Sequence, residues 1–430
     1  MKLQIARPIL LNYAISPYGL ALFSTALFLF AWLFPSGAYS SLINEPNYMH
    51  LDPETLLFFL LCIVGFWSGL LLFDFLFPAQ PLLESKQASS HLSGFFLLLP
   101  LVITTMLTAL EAFLILKSSP NILILLAMQE GDAVKSGAQD LQVGPLGIVE
   151  FLHIGVLWWT YWKFSNSVQT PGCKVLSRLV LSMGLIVKIA ISIFKVSRAD
   201  LMPVLGGFAI LYLLGKVCRK EFTTRSLLRS ICLLPLAGTS LFLVFGLLRG
   251  ADDMSRSYGD FAGYTIASYN RLASLLHGTM RYPYGGRGVY LSNFLAYDNR
   301  VNFILPLKHM LGWPDFLDQW NSEFQAPQLA GLNPSLIWSG AFGYLFSDFG
   351  WATPGVLLIY GVLYGFVWKQ MKSGTTMGVT IYPWFAFSVL SWFTANVVFD
   401  TRLFLLIFAG LLLVGYEKLL SVRQFSFVHS

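Results

Sequence analysis

Lys195, Arg198 and Asp200 interrupt an otherwise apolar run, IFKVSRADLMPVLGG, at residues 193–207. Lys188 lies seven residues before Lys195 and therefore on the same helical face, and Arg198 falls within about 60° of that stripe at roughly 100° per residue. A guanidinium presents a fork of donors that fits phosphate oxygens. With Ser197 or Asp200 as N-cap and Pro203 in the first turn, a helix starting here adds free N–H groups and its positive dipole end. Arg249, at the end of another apolar run, supplies a second guanidinium. The chemistry expected of this turn is capture of a phosphate. A phospholipid headgroup is one source, since arginines commonly snorkel to it; a lipid-linked substrate carrying a pyrophosphate is the other. Lys188 has a further reading, an ion pair with Glu150 or Glu111 of neighbouring runs.

Other groups suited to chemistry are scattered. Glu150 and His153 share a helix face, as a polar lining or as an interhelical pair. His309, in LPLKHMLGWPDF, is a candidate general base, with His277, Asp253, Asp260 and Glu323 as rivals. The segment YPYGGRG, 282–288, lacks the G-x-x-x-x-G-K-[ST] order of a P-loop and reads as a turn with Arg287 at its tip, beside the rings of Tyr282 and Tyr284.

The elements that must hold these residues are membrane helices. The chain of 430 residues is 56% hydrophobic, 16% aromatic and only 12% charged, about half the charge of a soluble domain. Apolar runs near 18–36, 55–78, 92–117, 145–164, 178–197, 199–217, 229–248, 352–369, 380–398 and 402–417 are each about long enough to cross a bilayer. The stretch 335–349 reads as a half-span or a surface helix, which gives ten or eleven spans. An even count with both termini cytoplasmic puts Lys2, Arg7, Lys163, Lys174, Arg178, the cluster Lys216–Arg229, Lys369, Lys372, Lys418 and Arg423 inside, and leaves the first outer loop, 37–54, without Lys or Arg. That bias accounts for the net charge of +6 without a nucleic-acid partner. Ala38 and Ser40 imitate a signal-peptide cleavage site, but the preceding apolar run exceeds the usual length of about 7–15 residues, so a retained first span is expected. The four cysteines have no disulfide or metal spacing.

One domain is therefore expected over 1–430, with its soluble mass in an extracytoplasmic loop at 249–334. That loop carries seven Lys or Arg, seven Asp or Glu and fourteen aromatics. Rings interleaved with charges suit a loop lying at the lipid headgroups, or one gripping a sugar by its C–H faces and hydroxyls.

The stretch GLNPSLIWSGAFGYLFSDFGWATPGVLLIYGVLYG, 331–365, resembles the segment after the long outer loop of Wzy-type O-antigen polymerases, with its small-residue-rich start, an aspartate–aromatic–glycine turn at Asp348 and a Gly-punctuated span. SRADLMPVL, 197–205, is similar to their arginine-bearing outer turn, and the size, span number and single late loop match over the whole chain. The resemblance implies an all-α, GT-C-like fold in the bacterial inner membrane with its active site facing the periplasm. The reaction implied is an inverting, metal-independent glycosyl transfer from an oligosaccharide on undecaprenyl pyrophosphate to a second lipid-linked repeat unit. No cofactor is implied; membrane lipids are partners, and a polysaccharide chain-length regulator is a candidate partner. The related O-antigen ligases use outer-face arginines and a loop histidine; Arg198 and Arg249 match the arginines, and His309 matches the histidine by location alone. Lys188, Lys195, Glu150, His153, Arg287, Tyr282, Tyr284 and Asp348 are the expected substrate-binding set.

Rival readings are a ligase, with the same chemistry and a different acceptor, and a lipid-oligosaccharide flippase or other transporter, which would want polar residues through the full membrane depth. A metal-dependent monosaccharide transferase would want paired acids after the first span, where 37–54 offers only Glu45, Asp52 and Glu54 with no D-x-D.

Overall fold

The computed structural model describes residues 13–78, 94–128, 134, 145–166, 171–218, 240, 244–246, 262–291, 310–314 and 316–428. Every regular element among them is helical. In chain order these are α1 (Pro17–Trp32), α2 (Ser36–Ile43), α3 (Pro53–Leu76), α4 (Gly94–Ser118), α5 (Ile122–Ala127), α6 (Pro145–Asn166), α7 (Pro171–Phe194), α8 (Arg198–Cys218), α9 (Ser268–Leu276), α10 (Phe316–Leu329), α11 (Gly340–Phe349), α12 (Thr353–Lys372), α13 (Thr376–Leu390) and α14 (Thr401–Val428).

Among the described residues, α3, α4, α7, α8, the α11–α12 unit and α14 are long and apolar enough to cross a membrane, six in all. The protein is thus a polytopic helical membrane protein. Large apolar side chains such as Phe75, Met106, Met183 and Ile186 point outward, as a hydrocarbon surround allows, while helices keep the backbone hydrogen bonds internal.

The helix ends follow local chemistry. Asp52 caps α3, its carboxylate accepting from the Thr55 N–H at 2.9 Å, with Pro53 in the first position. Thr375 caps α13 by accepting from the Gly378 N–H at 3.1 Å. Two predicted spans are shorter than expected. The run at 18–36 is helical only to Trp32; beyond Pro35 the chain bends by 95° into α2, which occupies part of the predicted first loop. The run at 380–398 is helical only to Leu390; beyond it the Trp392 and Thr394 carbonyls accept from the N–H groups of Ala341 and Gly340, and Asn396 meets the large loop. The 335–349 stretch contributes α11, joined through the 3-10 turn Gly350–Ala352 to α12. The predicted 229–248 span lies outside the described residues, apart from 240 and 244–246.

Packing is closest where side chains are smallest. Gly65, Gly69 and Gly361 bring α3 and α12 into backbone contact: a Cβ on Gly69 would sit 2.0 Å from the Leu358 carbonyl oxygen, and one on Gly361 would sit 2.1 Å from that of Phe66. Such small-residue crossings hold membrane helices together where no hydrophobic drive exists between them. The largely buried α13 packs against α1, α6, α8, α12 and α14.

Candidate functional site

Among the described residues, buried charge is concentrated at one end of the bundle, the end that meets residues 288–291 of the large loop through Asn396. Lys188, on α7, pairs with Glu150 of α6. Seven residues on, Lys195 bridges Glu150 Oε2 at 2.5 Å and Glu111 Oε1 of α4 at 2.8 Å. Next, Asp200 in the first turn of α8 accepts from Arg402 Nη2 at 2.9 Å, and Arg402 Nη1 reaches Asp400 at 3.2 Å. The Arg402 guanidinium is also 5.7 Å from the ring centroids of Phe151 and Trp384. All these groups are buried or nearly so. Buried ions need partners, and deleting one typically costs about 3–5 kcal/mol because the other is stranded. The network therefore ties the ends of α4, α6, α7, α8 and α14 into one unit.

The ion-pair alternative for Lys188 is the arrangement found, and Lys195 joins it; both lysine charges are satisfied inside the protein. His153 lies in the same buried wall. Its Nε2 faces the Gly184 carbonyl at 3.1 Å, which can only accept, so Nε2 carries the hydrogen and Nδ1 meets the Thr104 hydroxyl at 2.9 Å. That is the interhelical pair, without an open face toward a substrate. Of the two expected caps, Ser197 holds the N-cap position, because α8 begins at Arg198; Asp200 lies in the first turn, drawn inward by Arg402, and Pro203 is corrected to the second turn. The Arg198 side chain, Arg249 and His309 lie outside the described residues.

The loop residues form a second assembly at the same end. Arg271 of α9 is fully buried and grips Glu45 with both terminal nitrogens at 2.9 Å, a bidentate pair. Asn270 and the Asn333 N–H bond the same carboxylate, and Tyr39 donates to it. Asp348, expected to meet substrate, instead accepts three backbone N–H groups, from Gly288 at 3.1 Å and from Tyr290 and Leu291 at 2.8 Å. Asn396 donates to the carbonyls of Tyr290 and Leu291 at 3.2 and 3.0 Å. The turn segment 288–291 is thus held from both sides. Arg287 is exposed at the tip of its turn between Gly286 and Gly288, whose φ angles of 79° and 72° only glycine adopts freely. Its guanidinium lies 5.8 Å from the Tyr284 ring centroid.

Behind that turn stand three tyrosines. Tyr282 stacks on Tyr344 at 5.3 Å between ring centroids, and Tyr290 lies 5.2 and 5.7 Å from the two. Gln319, Glu323 and Ala326 follow at helical spacing along α10, and Ala326 packs into the tyrosine cluster. Glu323 is 1% exposed and accepts from the Gln319 amide at 2.5 Å. Burial pushes its carboxyl up to about 7. The Tyr282 hydroxyl donates to the Ile337 carbonyl at 2.7 Å. The hydroxyls of Tyr290, Tyr344 and Ser339 and Oε1 of Gln319 are buried with no hydrogen-bond partner of good geometry, although Tyr282 is in reach of Ser339 and Tyr344, and Tyr290 of the Tyr284 backbone.

Sequence reading misses Arg402, Asp400, Asn396 and the Glu45–Arg271 pair. A signal existed for the first three: NVVFDTRL, 396–403, is a polar break between apolar runs of the same kind as KVSRAD. Among the described residues no group of three His, Cys, Asp or Glu is arranged to hold a metal ion. Comparison of the chain with family models, curated proteins and solved structures gives no match.

Proposed function

We propose that the chain is a repeat-unit polymerase of the Wzy type, which joins lipid-linked oligosaccharides at the outer face of a bacterial inner membrane. The observation that carries this reading is the rigid ion network beneath the turn that bears Arg198, where Lys195 and Asp200, on either side of it, are each locked to a different neighbouring helix. A turn held this firmly at the start of a helix suits a pyrophosphate leaving group. Negative charge grows on the pyrophosphate as the glycosidic bond breaks, so preset donors aimed at it favour the transition state over the ground state. In this reading Arg198 and Arg249 hold the pyrophosphate, and Arg287, Tyr282 and Tyr284 belong to the side that meets sugar. Ten spans, cytoplasmic termini and a GT-C-like arrangement complete the proposal. The donor and acceptor are undecaprenyl-pyrophosphate-linked repeat units, with a chain-length regulator as a further partner.

The test is a reconstitution. Purified protein receives a polyprenyl-pyrophosphate-linked repeat unit without nucleotide, and products are resolved on a gel. The expected result is a ladder that falls by about 10²–10³ in rate in Arg198→Ala, with unchanged thermal stability. A ladder of equal intensity in the variant sinks the role of Arg198; no ladder in the wild type sinks the polymerase.

A transporter is the second reading, favoured by one observation: the chain Glu111–Lys195–Glu150–Lys188 is ionisable and buried among membrane helices, where such groups often mark ion or substrate paths. It predicts movement of lipid-linked sugar across a bilayer with no new glycosidic bond.

A further inference from the structure

Glycosyl transfer to an acceptor hydroxyl needs a group to take the acceptor proton. We propose that Glu323 is that group, and that the tyrosine trio Tyr282, Tyr290 and Tyr344 forms the subsite for the acceptor sugar. The inference rests on the glycosyl-transfer reading.

Three observations support it. First, α10 presents Gln319 and Glu323 on the face whose Ala326 enters the tyrosine cluster, so a carboxyl is buried at the wall of that cluster. Second, Oε1 of Gln319 is buried at this wall without a hydrogen-bond partner, and the hydroxyls of Tyr344, Ser339 and Tyr290 have only loose contacts, the first two with Tyr282 and the last with the Tyr284 backbone. Buried polar atoms in native proteins are nearly always paired, so an unpaired acceptor beside three loosely held hydroxyls suits a ligand rich in both donors and acceptors. A saccharide is such a ligand, and its C–H faces suit an aromatic surround. Third, burial tunes the Glu323 carboxyl to about 7, near the pH at which a base works best. Among the described residues, the charged and titratable neighbours are the three tyrosines, which sense Glu323 directly, with Arg271 acting on Tyr282 and Asp348 on Tyr290 from farther off.

In the step, the acceptor hydroxyl oxygen bonds to the anomeric carbon as the bond from that carbon to the pyrophosphate oxygen breaks. The bonding pair leaves with the pyrophosphate. The acceptor proton passes to the Glu323 carboxylate and then to solvent. The donor loses its lipid carrier, the acceptor keeps its own, and the configuration inverts.

The assay uses the full-length protein and the polyprenyl-pyrophosphate-linked repeat unit, with initial rates taken from pH 5.5 to 8.5. The wild-type rate is expected to rise through about pH 7, the carboxylate being the active form. Glu323→Gln should lose about 10²–10⁴ in rate and lose the inflection, while binding of polyprenyl pyrophosphate alone is unchanged. Glu323→Asp should restore part of the rate. A Glu323→Gln protein that keeps the wild-type rate and profile overturns the inference, as does an inflection that vanishes in His309→Ala instead. Should Glu323→Gln fail to fold, the wild-type profile and Tyr290→Phe decide: no rise between pH 6 and 8, or an unaltered KM for the repeat unit in Tyr290→Phe, overturns it. A wild type that makes no ladder overturns the glycosyl-transfer reading itself, and the role of Glu323 with it.

Discussion

Arg402 is the residue on which two carboxylates depend. Replacing it with alanine removes the guanidinium that Asp200 and Asp400 share, and the expected cost is about 3–5 kcal/mol, read as a fall in thermal midpoint in detergent. Adding Asp200→Ala to that variant should return part of the loss, because one stranded charge is removed; a double variant no better than the single would mean that the pair does not act as one. Glu323 makes a different prediction. Its folded carboxyl is held near 7 against an ordinary 4.5, so between these values the folded protein binds a proton that the unfolded chain has released. Stability should therefore be full below about pH 4.5 and fall as pH rises toward 7, by ~3 kcal/mol at most. Unfolding at pH 5 and pH 8 checks this: wild type should lose more than Glu323→Gln across the interval, and an equal loss would show that the carboxyl is not raised. The register of Lys188 and Lys195 was readable because both lie on one helix seven residues apart. The pairing of Arg402 was not, since its partner Asp200 is 202 residues away and only the folded chain brings them together.

At the scale of elements, the α3–α12 crossing is the most sensitive contact. Gly361→Leu places carbon where the Phe66 carbonyl oxygen lies 2.1 Å away, so the helices must part. Overpacking costs about 1–3 kcal/mol where side chains can yield, and here the obstacle is backbone; the expected outcome is a protein that extracts poorly and unfolds at lower temperature than Gly355→Leu, whose site is open. Asp348→Asn should loosen the 288–291 segment, because an amide oxygen replaces the charged acceptor of three N–H groups. Limited proteolysis near Arg287 should speed up, and unchanged cleavage would contradict the anchoring role. Most helices were legible, for an apolar run of 20 residues has one stable form in a bilayer. Helix ends at Trp32 and Leu390 were not: apolar sequence continues past both, and what stops the second is the demand of Asn396 for the carbonyls of the large loop. The small-residue pattern around Gly361 and Gly365 was visible in sequence, while its partner glycines on α3 were visible only as part of an apolar run.

Across the whole molecule, two assemblies share one end of the bundle: the ion network that ends five helices, and the loop assembly pinned by Glu45, Asp348 and Asn396. They meet through the 391–402 segment, which bonds the loop at Asn396 and the network at Asp400 and Arg402. Glu45 and Arg271, far apart in sequence and both buried, dock the first connection onto α9. Composition alone made the membrane class plain, but the joining of these assemblies could not be read, because it depends on contacts between residues hundreds of positions apart. The account places chemistry at this end, with a pyrophosphate leaving as a bond forms. The most direct measurement is therefore stoichiometry: protein in vesicles, a radiolabelled lipid-linked repeat unit, and a count of polyprenyl pyrophosphate released against glycosidic bonds formed. The account predicts one carrier released per bond, in step with the growing ladder. Carrier-linked sugar that crosses the vesicle wall with no release and no new bond would contradict it.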